Sequence, residues 1–226
     1  MAFILNLETA STNCSVSIAR DGKLLALKEQ NGASYSHSEQ LHLFIQEAMQ
    51  DAGLSLDMLD AVSVSKGPGS YTGLRIGVSA AKGLCFALDI PLIAVPTLLV
   101  MASQLMVTEG IIIPMLDARR MEVYSAVYSC KLDVLRETRA EIIGPGSFSE
   151  YLEEGKVHLA GNGALKCRDL LHHQNLIFHE TIVPSAREQA ELSYAKYKGH
   201  DFEDTAYFEP FYLKDFMGTK KPPGKP

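Results

Sequence analysis

Residues 66–77 read Lys-Gly-Pro-Gly-Ser-Tyr-Thr-Gly-Leu-Arg-Ile-Gly. Before them, Leu59 to Val64 is a short apolar run of strand character. After them, Leu74 to Leu88 carries small and apolar residues at helical spacing. A glycine-rich turn between a strand and a helix is a joint of α/β folds. Two physical roles fit it. Glycines let the backbone approach a ligand, and a helix N-terminus offers unpaired N–H groups to an anion, with Ser70 and Thr72 as caps and Arg75 as a counter-charge. The same glycines equally let a helix sit tightly on a sheet with no ligand. Gly67, Pro68, Gly69, Ser70, Thr72 and Gly73 are thus candidates for a phosphate or nucleotide loop, although neither the Walker nor the dinucleotide spacing is present.

Toward the N-terminus, Phe3–Leu7 is an apolar run and Cys14–Ala19 alternates apolar with polar. Asp21-Gly22 is a hairpin signal before Leu24–Leu27. Ser36 and Glu39 have capping-box spacing, and Leu41, Phe44, Ile45, Ala48, Met49 and Ala52 follow at helical intervals up to Gly53. Toward the C-terminus, Pro91–Val95 predicts a strand and Pro96 a helix start. The pattern then begins again. Ile111–Leu116, Val123–Tyr128 and Val134–Ile143 read as strands, and Ser147–Glu150 as a second capping box. Val157–Ala160 is a strand, Gly161-Asn162-Gly163 a glycine turn before a helix, and Ser185–Glu188 opens a last helix that stops at Gly199. An acidic residue ends the first strand of each half, Glu8 and Asp117. We read a duplicated α/β chain with a mixed sheet in each half. The expected division is 1–101, 102–205 and a C-terminal segment 206–226 whose last eleven residues form a flexible tail.

The chain has 226 residues, a net charge of −6 and 46% hydrophobic residues, which excludes disordered and fibrous classes. The acidic balance argues against autonomous nucleic-acid binding. Ile90–Thr108 is uncharged, but its prolines and polar residues favour a strand and a helix over a membrane span, and the N-terminal residues lack the basic region of a signal peptide. Four scattered cysteines suggest neither a zinc site nor a disulfide framework and fit the cytoplasm. Glu8 and Thr9, at the turn after the first strand, could line a phosphate site, or Glu8 could pair with a basic group. His37, His42, His172, His173 and His179 lack ligand spacing and read as surface or capping residues. The apolar stripe of the 37–52 helix packs on its own sheet, or else part of its face, with His37, Gln40, Leu41 and Phe44, meets another subunit.

The 66–77 loop resembles the signature of the bacterial TsaB family (YeaZ-like proteins). So do Ile-Leu-Asn-Leu-Glu-Thr-Ala-Ser at 4–11, Ser-His-Ser-Glu-Gln-Leu at 36–41, Met-Leu-Asp-Ala-Arg-Arg-Met-Glu-Val-Tyr at 115–124 and Pro-Phe-Tyr-Leu-Lys at 210–214. The resemblance implies the actin, sugar-kinase and heat-shock-protein ATPase (ASKHA) fold, and a non-catalytic scaffold in making threonylcarbamoyladenosine (t6A) on tRNA. The loop is shared with the longer TsaD paralogue. In TsaD-type proteins, however, an H-x-x-x-H metal pair falls where this chain has Thr97 and Met101, so no metal is expected.

By the same resemblance, Ser36, His37, Gln40, Leu41, Phe44, Arg75 and Ser79 form the interface with a TsaD-type partner, or a homodimer when the partner is absent. A charge introduced at Leu41 or Phe44 should then abolish partner binding and leave the fold intact. Further implied partners are a TsaE-type ATPase and, only through the complex, tRNA. No cofactor is required, and weak ATP or ADP binding at a subunit junction stays open. The alternative is an ATP-dependent phosphotransferase or ATPase acting alone through Glu8, Asp117 and the glycine loop. Such ATPases usually carry Asp-x-Gly in the first hairpin, where this chain has Glu8-Thr9-Ala10. A peptidase ranks last, because no nucleophile–base pair or zinc ligand set stands out.

Overall fold

The structure is a computed structural model and describes residues 1–32 and 37–214. The first half runs β1 (Phe3–Glu8), β2 (Asn13–Arg20), β3 (Lys23–Asn31), α1 (His37–Ala52), β4 (Ala61–Gly67), α2 (Tyr71–Leu88), β5 (Leu92–Pro96) and α3 (Thr97–Ala102). The second runs β6 (Ile111–Asp117), β7 (Glu122–Ser129), β8 (Val134–Ile142), α4 (Ser149–Leu152), β9 (Val157–Ala160), α5 (Asn162–Cys167), β10 (Leu176–His179) and α6 (Ala186–Lys198). The sheets have orders β3-β2-β1-β4-β5 and β8-β7-β6-β9-β10. Each pairs its three hairpin strands antiparallel and adds two parallel strands. The same order twice is the expected duplication and the two-lobed ASKHA architecture.

Alternation along the strands divides the first sheet into two faces. Leu5, Leu7, Val16, Ile18, Val62 and Val64 pack against Leu41, Ile45 and Ala48 of α1 and Val78 and Ala81 of α2. Ile4, Ala61, Ile93 and Val95 lie on the opposite side with Leu192, Tyr194 and Tyr197. Helix α6, the last among the described residues, therefore returns to cover the first sheet. Conversely, Leu98, Met101 and Ala102 of α3 pack with Ile112, Leu116, Ala126 and Tyr128 of the second sheet. The other face of that sheet is closed by a cluster containing Phe148, Leu152, Ala164 and Cys167. Each half thus lends one helix to the other, and the expected boundary at 101 runs through α3.

Local signals largely hold. Asp21 and Gly22 both have positive φ in the β2–β3 turn, and Gly53 at φ +66° ends α1. Ser185 caps α6 by accepting from Arg187 N at 3.2 Å. Ser36 and the tail beyond 214 lie outside the described residues. The capping box at Ser147 does not form: its hydroxyl accepts from Gly144 N at 3.0 Å, and α4 starts instead at Phe148 with φ +67°. Strand β10 was not anticipated. Among the described residues no helix is long and apolar enough to cross a membrane, and 90–108 resolves into β5, α3 and loop.

Candidate functional site: the glycine joint and the groove beside it

The glycine loop is filled by the chain itself. Ser70 N donates to Ala10 O at 2.7 Å, and Ser70 Oγ accepts from Gly73 N at 3.3 Å as the α2 cap. The Thr9 hydroxyl donates to Gly73 O at 2.8 Å. A β-carbon at Gly69 would overlap the Ala10 carbonyl, at Gly73 the Thr9 carbonyl, and at Gly77 the Thr9 hydroxyl. Gly67 has φ +109°, with its Cβ position 2.8 Å from the Phe211 carbonyl. The glycines therefore act in the second of their two roles, letting α2 rest on the β1–β2 turn.

Glu8 and Thr9 are wholly buried, which corrects their assignment to a ligand site. Glu8 Oε1 accepts from Ala10 N at 2.6 Å, and Oε2 accepts from Ser65 Oγ and, at 3.2 Å, from Gln189 Nε2 of α6. Burial without a cation pushes its carboxyl up to about 7. The other acid of the ATPase reading, Asp117, is ion-paired with Lys166 at 2.5 Å. The two acids are held in separate hydrogen-bond sets, and Glu8 has no oxygen facing solvent. Thr97 and Met101, where the resemblance puts the H-x-x-x-H pair of TsaD-type proteins, are both core residues, the methionine lying against Gly161. These side chains do not fit a TsaD-type metal. Among the described residues no three His, Cys, Asp or Glu side chains converge as a metal set.

Of the expected interface residues, His37 and Leu41 turn inward. His37 is 1% exposed and its Nε2 donates to Ser11 O at 2.8 Å; Leu41 is 0% exposed in the sheet core. Burial lowers the His37 pKa, so the surface or capping reading of this residue is corrected. His179 also departs from that reading: it is half-buried and lies 3.0 Å from His158. A charge at Leu41 would disrupt the fold and so cannot test binding. Phe44 is half-buried against the same core, and Gln40 donates to Gln30 Oε1 at 2.8 Å.

What α1 and α2 leave open is a groove of about 730 Å³ between them, lined by His42, Tyr71, Arg75, Ser79, Ala80 and Gly83 among others. Arg75 donates to the Tyr71 hydroxyl at 3.1 Å with its guanidinium 5.5 Å from that ring. Arg75 and Ser79 are both exposed on this face. Gly83 and Ala80, which no motif flagged, keep the α2 side of the groove shallow. A strap follows: Lys82 Nζ donates to the carbonyls of Ala206 and Phe208, Phe211 N to Lys66 O at 2.7 Å, and Tyr212 lies 4.9 Å from Tyr71 between ring centroids.

Residues 29–190 match the profile of the family described as TsaD, tRNA N6-adenosine threonylcarbamoyltransferase. The chain is 29% identical to the tRNA threonylcarbamoyladenosine biosynthesis protein TsaB of Escherichia coli, over 98% of this chain and 99% of that one. It is 37% identical to the tRNA N6-adenosine threonylcarbamoyltransferase of Geobacillus thermodenitrificans, but over 41% of this chain and 32% of that one. In fold it resembles a YeaZ-like protein of Pseudomonas aeruginosa, with a TM-score of 0.84 and 22% identity over 95% of this chain and 100% of that one. The duplicated topology and these matches lead to one conclusion: the chain belongs to the TsaD-type threonylcarbamoyltransferase family.

Proposed function

We propose that this chain is the non-catalytic subunit of a cytoplasmic t6A-modification complex, binding a TsaD-type catalytic partner through the α1–α2 groove. The observation that carries this is the pairing of a full-length likeness to TsaB with apolar or unsuitable core residues where a TsaD-type protein places its metal ligands. Small residues at Ser79, Ala80 and Gly83 allow a partner helix to approach closely. The same surface supports a homodimer when the partner is absent. A TsaE-type ATPase and tRNA join through the assembled complex, and any ATP or ADP binds at the junction between subunits.

The test is reconstitution. The TsaD-type partner, the TsaE-type ATPase, threonylcarbamoyl-adenylate and tRNA are combined with and without this chain. Modification should require the chain, which alone modifies nothing. Ser79→Tyr, which fills the groove from an exposed position, should abolish partner binding and modification together. Equal modification without the chain would defeat the proposal.

A further inference from the structure

The β6–β7 hairpin is held in an unusual way. Arg119 and Arg120 at its tip have φ of +70° and +51°, a region that side chains other than glycine and asparagine rarely adopt. The turn is closed by Ala118 N to Glu122 O at 3.1 Å and Glu122 N to Arg119 O at 3.2 Å. Its two acids are already neutralised from either side. Asp117 Oδ1 takes Lys166 Nζ at 2.5 Å and Arg119 N at 2.7 Å, while Lys166 also donates to Glu122 O at 2.8 Å. The Glu122 carboxylate is ion-paired with Lys214 of the strap, whose ammonium lies 5.9 Å from the Tyr124 ring centroid. Both arginines are exposed, and the arginines that pair with acids among the described residues are others: Arg136, Arg139 and Arg168.

The outcome is a concentration of positive charge in a chain whose net charge is −6. With the acids occupied by lysines, two guanidiniums stand in surplus at the tip. The place also matters. Phe211 N bonds Lys66 O of the glycine loop and Lys214 pairs with Glu122, so three residues of chain join the two. At about 3.3–3.6 Å per extended residue, the backbone of Lys214 lies within about 11 Å of that of Phe211, and the paired Lys214 and Glu122 side chains span the rest of the way to the hairpin. Tyr212, between them, stacks on Tyr71 at the groove.

We infer that the Arg119–Arg120 hairpin is a docking point for the phosphate backbone of tRNA, supplied by this chain beside the seam with its catalytic partner. Guanidinium groups bind phosphate oxygens bidentately, and the left-handed turn holds two of them outward on a braced element. The inference rests on the subunit role proposed above.

The experiment measures purified tRNA binding to the assembled complex by fluorescence anisotropy across a salt series. The variant is Arg119→Asn/Arg120→Asn, since asparagine accepts the left-handed region and removes both charges. The expected result is an intact complex whose Kd for tRNA rises about tenfold at 0.1 M salt, with the log–log salt slope reduced by about 1.5 as two phosphate contacts are lost. Arg119→Lys/Arg120→Lys should recover most of the slope. Unchanged affinity and slope in an intact complex would overturn the hairpin assignment and leave the subunit role standing. A variant that no longer assembles would overturn it too, giving the arginines to the protein partner. Failure of the unaltered chain to form any complex would remove both readings.

Discussion

The Thr9 carbonyl occupies the space a β-carbon on Gly73 would need, and the Thr9 hydroxyl donates back to the Gly73 carbonyl at 2.8 Å. The β1–β2 turn and the first turn of α2 are thereby locked backbone to backbone. Gly73→Ala should cost about 1–3 kcal/mol by overpacking, because the atom it meets is main chain and cannot rotate away. A β-carbon at Gly83 in the same helix meets open space. Gly83→Ala should therefore stabilise the isolated chain by about 0.5–1 kcal/mol. Urea unfolding of the two variants, read side by side, checks both signs.

Leu41 and Ser79 sit on the two helices that flank the groove, yet only Ser79 is exposed. Leu41→Ala should lose about 2–5 kcal/mol, the cost of a cavity in a packed sheet core. Ser79→Tyr should stay within about 0.5 kcal/mol of the unaltered chain, as surface changes do. Thermal unfolding paired with calorimetric titration of the TsaD-type partner separates the two: the first variant loses stability, the second loses binding.

Glu8 gives the fold an inverted response to alkali. With its folded pKa near 7 and a reference value of 4.5, it holds a proton in the native state that the unfolded chain has released. Stability should fall by about 3 kcal/mol as pH rises from about 4.5 to 7, and remain at the lower level above that. Glu8→Gln keeps the hydrogen-bonding shape of the neutral acid. It should remove this slope and leave the variant more stable than the unaltered chain at pH 8. Chemical denaturation at pH 5.5, 7 and 8.5 gives the comparison.

His158 and His179 act in the opposite direction. Their ring nitrogens lie 3.0 Å apart, and burial lowers both pKa values below the reference of 6.5; His158 feels its neighbour as well, along with Lys156 and, in the other sense, Glu109. The unfolded chain therefore binds protons first, and stability should decline as pH falls through 6.5 and below. His179→Asn should weaken that acid-side loss. The effect is best read in the Glu8→Gln background, where the carboxyl slope no longer masks it.

Much of the first half could be read from local chemistry. Asp21-Gly22, Gly53 and the 66–77 loop mark turns by residues that tolerate the required backbone. The alternation in β2 was also real, but Ser15 and Ser17 do not face water. Ser15 accepts from Ala186 N and Ser17 donates to Ala186 O, both beneath α6. Polar residues on a strand look the same whether they meet solvent or a helix arriving 169 residues later. Strand β10 offered only Leu176, Ile177 and Phe178 between polar neighbours, too short a run to separate from loop. The site was legible as a loop of close approach; that its guest is Thr9 and Ala10 depended on tertiary packing. His37 and Leu41 lie on the buried side of α1, and one helical turn of sequence cannot reveal which face a sheet will claim.

The exchange of α3 and α6 between the halves has a consequence during synthesis. As the ribosome extends the chain, the sheet of residues 3–96 emerges well before 186–198, the helix that seals its second face. Until then Glu8, Ser15, Ser17 and Ser65 stand unsealed, and the first half cannot mature ahead of the second as an ordinary N-terminal domain would. The nascent first half must wait for residues 186–198, and a message cut short before codon 186 would leave its second face uncovered.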